Sequence, residues 1–118
     1  MKHFVSTTTV KFKVDGIEFE YLPMTAGDEL DNADKYIIMV NGKPQQDFKQ
    51  ITELKLKRIK NASYDINTIK SITRKDTFKQ LSDNEKVDLF KKMHPTVFNK
   101  IIIKINEIDN GGGDDLKN

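Results

Sequence analysis

The chain has 118 residues, no cysteine, 32% charged side chains and a formal net charge of only +2, which argues for one domain and excludes disulfides and thiolate metal sites. A mean hydropathy of -0.61, no apolar run near the roughly 20 residues a bilayer span needs, and an N-terminus without a signal peptide's apolar core predict a soluble protein with no membrane partner. The charge is uneven: residues 1–40 hold four lysines against seven acids, and residues 43–75 hold nine Lys/Arg against three acids, so each stretch is expected to present its own electrostatic face.

Val10, Phe12 and Val14 alternate with Lys11 and Lys13. After Asp15-Gly16, Ile17, Phe19 and Tyr21 alternate with Glu18 and Glu20. Period-two alternation around Asp-Gly predicts a hairpin with a two-residue turn. That register pairs Val14 with Ile17, Phe12 with Phe19 and Val10 with Tyr21 on an apolar face, and Lys13 with Glu18 and Lys11 with Glu20 on the other. A one-residue slip would drive lysines into the core.

Pro23 ends the second strand. Thr25 and Asp28 form an N-cap and first-turn acid for a helix expected over about 26–38, with Leu30, Ala33 and Ile37 inward. Asn41-Gly42 either caps that helix or turns a small hairpin from Ile37–Val40, and Pro44 disfavours a central strand after it. Residues 47–60 are expected as a helix, because Gln, Glu, Lys and Arg dominate, with Phe48, Ile51 and Ile59 on one face. The alternation of Leu54 and Leu56 with lysines keeps a strand open there. Asn61 and Tyr64 are expected in a loop, and Asp65 caps a short helix carrying Ile66, Ile69 and Ile72.

Ser82-Asp83-Asn84-Glu85 is a capping box, with Val87, Phe90 and Met93 following on one face. His94-Pro95 breaks that helix and Pro95 opens the next, whose stripe is Val97, Phe98, Ile101, Ile102, Ile105 and Ile108. Ile103 points off the stripe. The expected class is therefore α+β: an N-terminal β-hairpin, alone or with a third strand, packed on three to five helices, with a helical C-terminal half. Residues 1–109 form the domain, and 110–118, with Gly111-Gly112-Gly113, a flexible tail.

Sites of chemistry are sparse. The two histidines, His3 and His94, lack neighbouring ligands at metal spacing. The carboxylates at 28, 29, 31 and 34 lack the calcium-loop pattern and are read as a solvated or protein-docking face. No paired acid and base or activated nucleophile stands out, so neither an enzyme nor a cofactor is expected. Lys55-Leu56-Lys57-Arg58-Ile59-Lys60 is the one strip suited to phosphates, which keeps a small nucleic-acid-binding regulator as an alternative.

Phe12–Val14-Asp15-Gly16-Ile17-Glu18-Phe19, Leu22-Pro23-Met24-Thr25-Ala26-Gly27-Asp28-Glu29-Leu30, Leu81-Ser82-Asp83-Asn84-Glu85-Lys86, Leu89-Phe90-Lys91-Lys92-Met93-His94-Pro95 and Val97-Phe98-Asn99-Lys100-Ile101 together resemble small tail assembly proteins of tailed bacteriophages and related archaeal viruses. Within these, the chain looks most like the tail assembly chaperones. The resemblance spans roughly residues 10–108 and implies a non-enzymatic chaperone in the host cytoplasm, absent from the finished virion. Such a chaperone binds the tape measure protein, tail tube subunits or both, and a homo-oligomer would fit. A minor tail or baseplate component retained in the particle is the alternative within the same setting. The partner surfaces expected on this basis are the acidic helix, with Asp28, Glu29, Asp31 and Asp34, and the outer faces of the C-terminal helices, with Phe90 and Ile103. Some members of the family also have a longer frameshifted product, to which the glycine run near the C-terminus is suited.

Overall fold

Asp15 and Gly16 both take positive φ, 51° and 83°, as a two-residue type I′ turn requires. They join β1 (Val10–Val14) to β2 (Ile17–Tyr21) in the computed structural model, which describes residues 3–33 and 37–111. The register is the expected one, from Val14↔Ile17 to Val10↔Tyr21. Phe19 and Tyr21 are fully buried, and Phe12 stacks on Phe19 with ring centroids 5.2 Å apart. On the polar face the ion pair forms diagonally, Lys11 Nζ to Glu18 at 3.8 Å, while Glu20 accepts a hydrogen bond from the Asn61 amide at 2.8 Å.

A third strand, β5 (Ile59–Ala62), pairs antiparallel with the other side of β2. This corrects the expected loop at Asn61 and the expected helical place of Ile59. The pairing jumps from Glu20↔Asn61 to Tyr21↔Ile59, so Lys60 is the extra residue of a β-bulge. The bulge turns both Ile59 and Ala62 into the core, although three residues separate them. Beyond the ladder, the Ser63 N–H donates to the Glu18 carbonyl at 2.9 Å, and the Glu18 N–H donates to Ser63 Oγ at 2.8 Å.

Between β2 and β5 the chain makes an excursion through α1 (Ala26–Ala33), β3 (Ile37–Val40), β4 (Lys43–Gln46) and α2 (Phe48–Lys57). Thr25 and Asp28 do cap α1, each backbone N–H donating to the other's side chain at 2.9 and 3.0 Å. The helix is shorter than expected, and Ile37 belongs to a strand. Asn41 (φ 53°) and Gly42 (φ 77°) turn a second small hairpin. Leu30 is 75% exposed, not inward, because an eight-residue helix ending before a separate hairpin has little to pack against on that side. Residues 48–57 are helical, capped by Asp47, which accepts from the Lys49 and Gln50 amides. Phe48 is 79% exposed and Leu56 is the fully buried residue of this helix, which corrects the expected inward face.

The C-terminal half follows expectation closely. Asp65 caps α3 (Ile66–Ile72). A single 3-10 turn at Phe78–Gln80 leads to α4 (Asp83–Lys91), opened by the Ser82/Glu85 capping box, and to α5 (Pro95–Asp109), with Pro95 in its first turn. Ile101 and Ile105 are fully buried, while Val97, Phe98, Ile102 and Ile108 pack against the core from its margin. Asn110 and Gly111 close α5 through bonds to the Asn106 and Ile108 carbonyls. The rest of the expected tail, 112–118, lies outside the described residues. The architecture is α+β: among the described residues, a three-stranded antiparallel sheet ordered β1-β2-β5 and a separate β3-β4 pair, with five α-helices.

Candidate functional site

Phe90 is fully buried, its ring 6.4 Å from that of Phe19 and 6.0 Å from that of Phe78. The expectation that it faces a partner is therefore wrong. Helix α4 buries Lys86, Val87, Leu89 and Phe90, so its inward surface is wider than a single stripe and Phe90 lies at its centre. Buried Lys86 sits with Nζ 5.8 Å from the Phe78 ring centroid, and its pKa is lowered, chiefly by desolvation.

The charged strip at 55–60 is not one surface. It runs off the end of α2, turns, and enters β5. Lys55 Nζ lies 3.2 Å from Asp109 and donates to Asn106 Oδ1 at 2.9 Å. Arg58 donates to the Leu22 and Pro23 carbonyls, each at 2.8 Å, and to Asp28 at 3.2 Å. Two of its four cations thus tie the fold together. Asp109 is the hub: its side chain is 3% exposed and also accepts from the Tyr21 hydroxyl at 2.7 Å and the Met24 N–H at 3.0 Å. Burial first, and the Asp109 charge second, push the Tyr21 pKa well above the ordinary phenol value. Among the described residues, no group of three or more His, Asp or Glu side chains is placed to hold a metal ion.

What the fold does assemble is a groove of about 350 Å³. Helix α2 supplies Phe48, Ile51, Thr52 and Leu54, and α5 supplies Ile102 and Asn106. Helix α1 adds Glu29 and Asn32, and the end of β4 adds Gln46. Buried Met24 and the Lys55 side chain complete the lining, so the Asp109 network fixes one wall of it. Of the expected partner residues that are described, only Glu29 reaches this groove. Asp31 is exposed on α1, beside the exposed Leu30. Asp28 is held below the ordinary carboxylate range, first by the Thr25 backbone N–H and also by the Arg58 charge, so it acts as a cap and clamp. Ile103 is 55% exposed on α5, one residue beyond the groove's Ile102. Asp34 lies outside the described residues. The sequence places Phe48 and Ile51 on one helical face, Ile102 in the α5 stripe and Leu30 inward, none of them on a groove. The Asp47 cap was the available signal for Phe48, since it makes Phe48 the first, free-standing residue of a helix.

No known family model matches the chain, and no curated protein or solved structure is similar to it.

Proposed function

We propose that this chain is a non-enzymatic assembly chaperone that binds an apolar helical segment of a larger protein. The observation that carries the proposal is the groove between α1, α2 and α5, with Phe48 standing 79% exposed at its edge. A large aromatic held out of the core beside a groove with an apolar floor of Met24, Ile51, Leu54 and Ile102 and polar groups around it suits an amphipathic helix laid along it. On α1, Glu29 and Asp31 flank the exposed Leu30, which favours a partner helix whose apolar stripe is bordered by Lys or Arg. The resemblance to tail assembly chaperones gives that partner a concrete form: the tape measure protein, or tail tube subunits, in the host cytoplasm.

The test is co-expression of the tagged chain with a tape measure protein and tube protein from the same gene neighbourhood, followed by pull-down. Capture of either one by the unaltered chain, lost on Phe48→Asp, is expected. Recovery of neither, or capture that is indifferent to Phe48→Asp in a folded chain, defeats the proposal. Presence of the protein in purified particles would mark a structural tail component instead, and salt-sensitive recovery of nucleic acid alone a regulator.

A further inference from the structure

A sheet edge left bare invites another strand, and proteins usually guard such edges with charge, proline or a bulge. Among the described residues, three of the four sheet edges are guarded and one is bare. β1 carries Lys11 and Lys13, exposed on its edge of the three-stranded sheet, and β5 is broken by the bulge at Lys60. β4 carries Lys43 and Pro44.

The fourth edge, β3, reads Ile37-Ile38-Met39-Val40. It has no charge, and Ile37, Ile38 and Met39 are 45%, 41% and 67% exposed. The hairpin register fixes which amides are free. Val40↔Lys43 closes a two-residue turn and is therefore a hydrogen-bonded pair, as is Ile38↔Gln45 two residues on. Met39↔Pro44 and Ile37↔Gln46 are the alternate pairs, whose backbone groups point away from the hairpin. On β4 that outward position falls on Pro44, which has no N–H to offer. On β3 it falls on Ile37 and Met39, which have both N–H and C=O.

We propose that the β3 edge pairs antiparallel with the β3 edge of a second copy of this chain, about a two-fold axis at Ile38. Ile37 then exchanges both backbone hydrogen bonds with the second copy's Met39, and the reverse holds across the axis. Ile38 faces its own equivalent as the non-hydrogen-bonded pair. Every facing side chain is apolar, so self-pairing meets no like charge. A single bare edge per hairpin, with Pro44 on its far side, closes the assembly at two copies. The pairing makes a four-stranded sheet from two hairpins that are marginal alone. This inference does not rest on the groove, and the Phe48→Asp chain is expected to dimerise as well as the unaltered one.

A non-hydrogen-bonded pair brings Cα atoms to about 4.5 Å, inside the window of about 4.4–6.8 Å that a disulfide spans. The cysteine-free chain makes the test direct. Ile38→Cys is expected to form a disulfide-linked dimer under mild oxidation, while Asn67→Cys, on the exposed surface of α3, is not. Sedimentation of the unaltered chain from low micromolar to millimolar concentration is expected to show a monomer–dimer equilibrium. Ile38→Lys, with an unchanged circular dichroism spectrum, is expected to weaken it by roughly tenfold or more. A monomer at all concentrations, equal cross-linking at the two positions, or a dimer untouched by Ile38→Lys overturns the proposal.

Discussion

Two parts of this chain carry similar apolar residues and use them in opposite ways. In the sheet and C-terminal helices, Phe19, Tyr21, Phe78, Phe90, Ile101 and Ile105 are all 0–1% exposed. In the excursion from α1 to α2, Leu30, Ile37, Ile38, Met39 and Phe48 are 41–79% exposed. Burial of such a side chain is worth about 1.5–3 kcal/mol, so the second group forgoes a large part of the stabilisation that the first secures. One region holds the molecule together. The other leaves its large apolar side chains exposed to solvent.

That contrast can be broken from either side. Phe90→Ala empties the centre of the core and is expected to destabilise the fold by about 3–5 kcal/mol, read from urea unfolding. Asp109→Ala removes the acceptor for Tyr21, Met24 and Lys55 at once and is expected to cost about 2–3 kcal/mol. The same network has a pH signature. A folded-state pKa raised above the ordinary 10.0 of Tyr21 means that its contribution is present below pH 10 and is lost as pH rises beyond it. In a spectrophotometric titration Tyr21 should therefore remain un-ionised above pH 10 until the chain unfolds, and Asp109→Ala should bring that unfolding to lower pH. Ser82→Ala deletes one cap of α4 and is expected to cost about 1 kcal/mol in the same urea assay. Phe48→Gln is expected to change stability by less than about 0.5 kcal/mol, because the ring is already in water, while reducing partner capture in the pull-down.

The two regions also differed in how well the sequence announced them. The β1–β2 hairpin was legible to the residue because alternation on both sides of Asp15-Gly16 permits a single register with a clean apolar face. The α4 capping box and the α5 stripe were legible for similar reasons: each signal is local and agrees with its neighbours. β5 was hidden by its bulge, since Ile59 and Ala62 are three apart and mimic helical spacing. The end of α1 was misplaced because Ile37 continues the i, i+3, i+7 spacing of Leu30 and Ala33 into what is a strand. The groove was out of reach for another reason. Its walls come from α1, β4, α2 and α5, and a stripe within one element does not reveal which other elements will leave a gap against it. Phe90 shows the converse error, a core residue mistaken for surface because α4 is buried across more than one stripe.

The excursion leaves β2 and returns to β5, and its two ends are joined where the Leu22 N–H meets the Arg58 carbonyl at 3.0 Å, with the Arg58 side chain reaching back to Leu22 and Pro23. A segment clasped at its base can open without unzipping the sheet from which it departs. Amide hydrogen exchange would then divide into two classes, with β3–β4 protons lost through a shallow local opening and those of Phe19 and Tyr21 only through global unfolding. The clasp therefore lets the β3–β4 hairpin fray on its own timescale, while Leu56, buried beside Ile59, keeps the end of α2 locked to the frame.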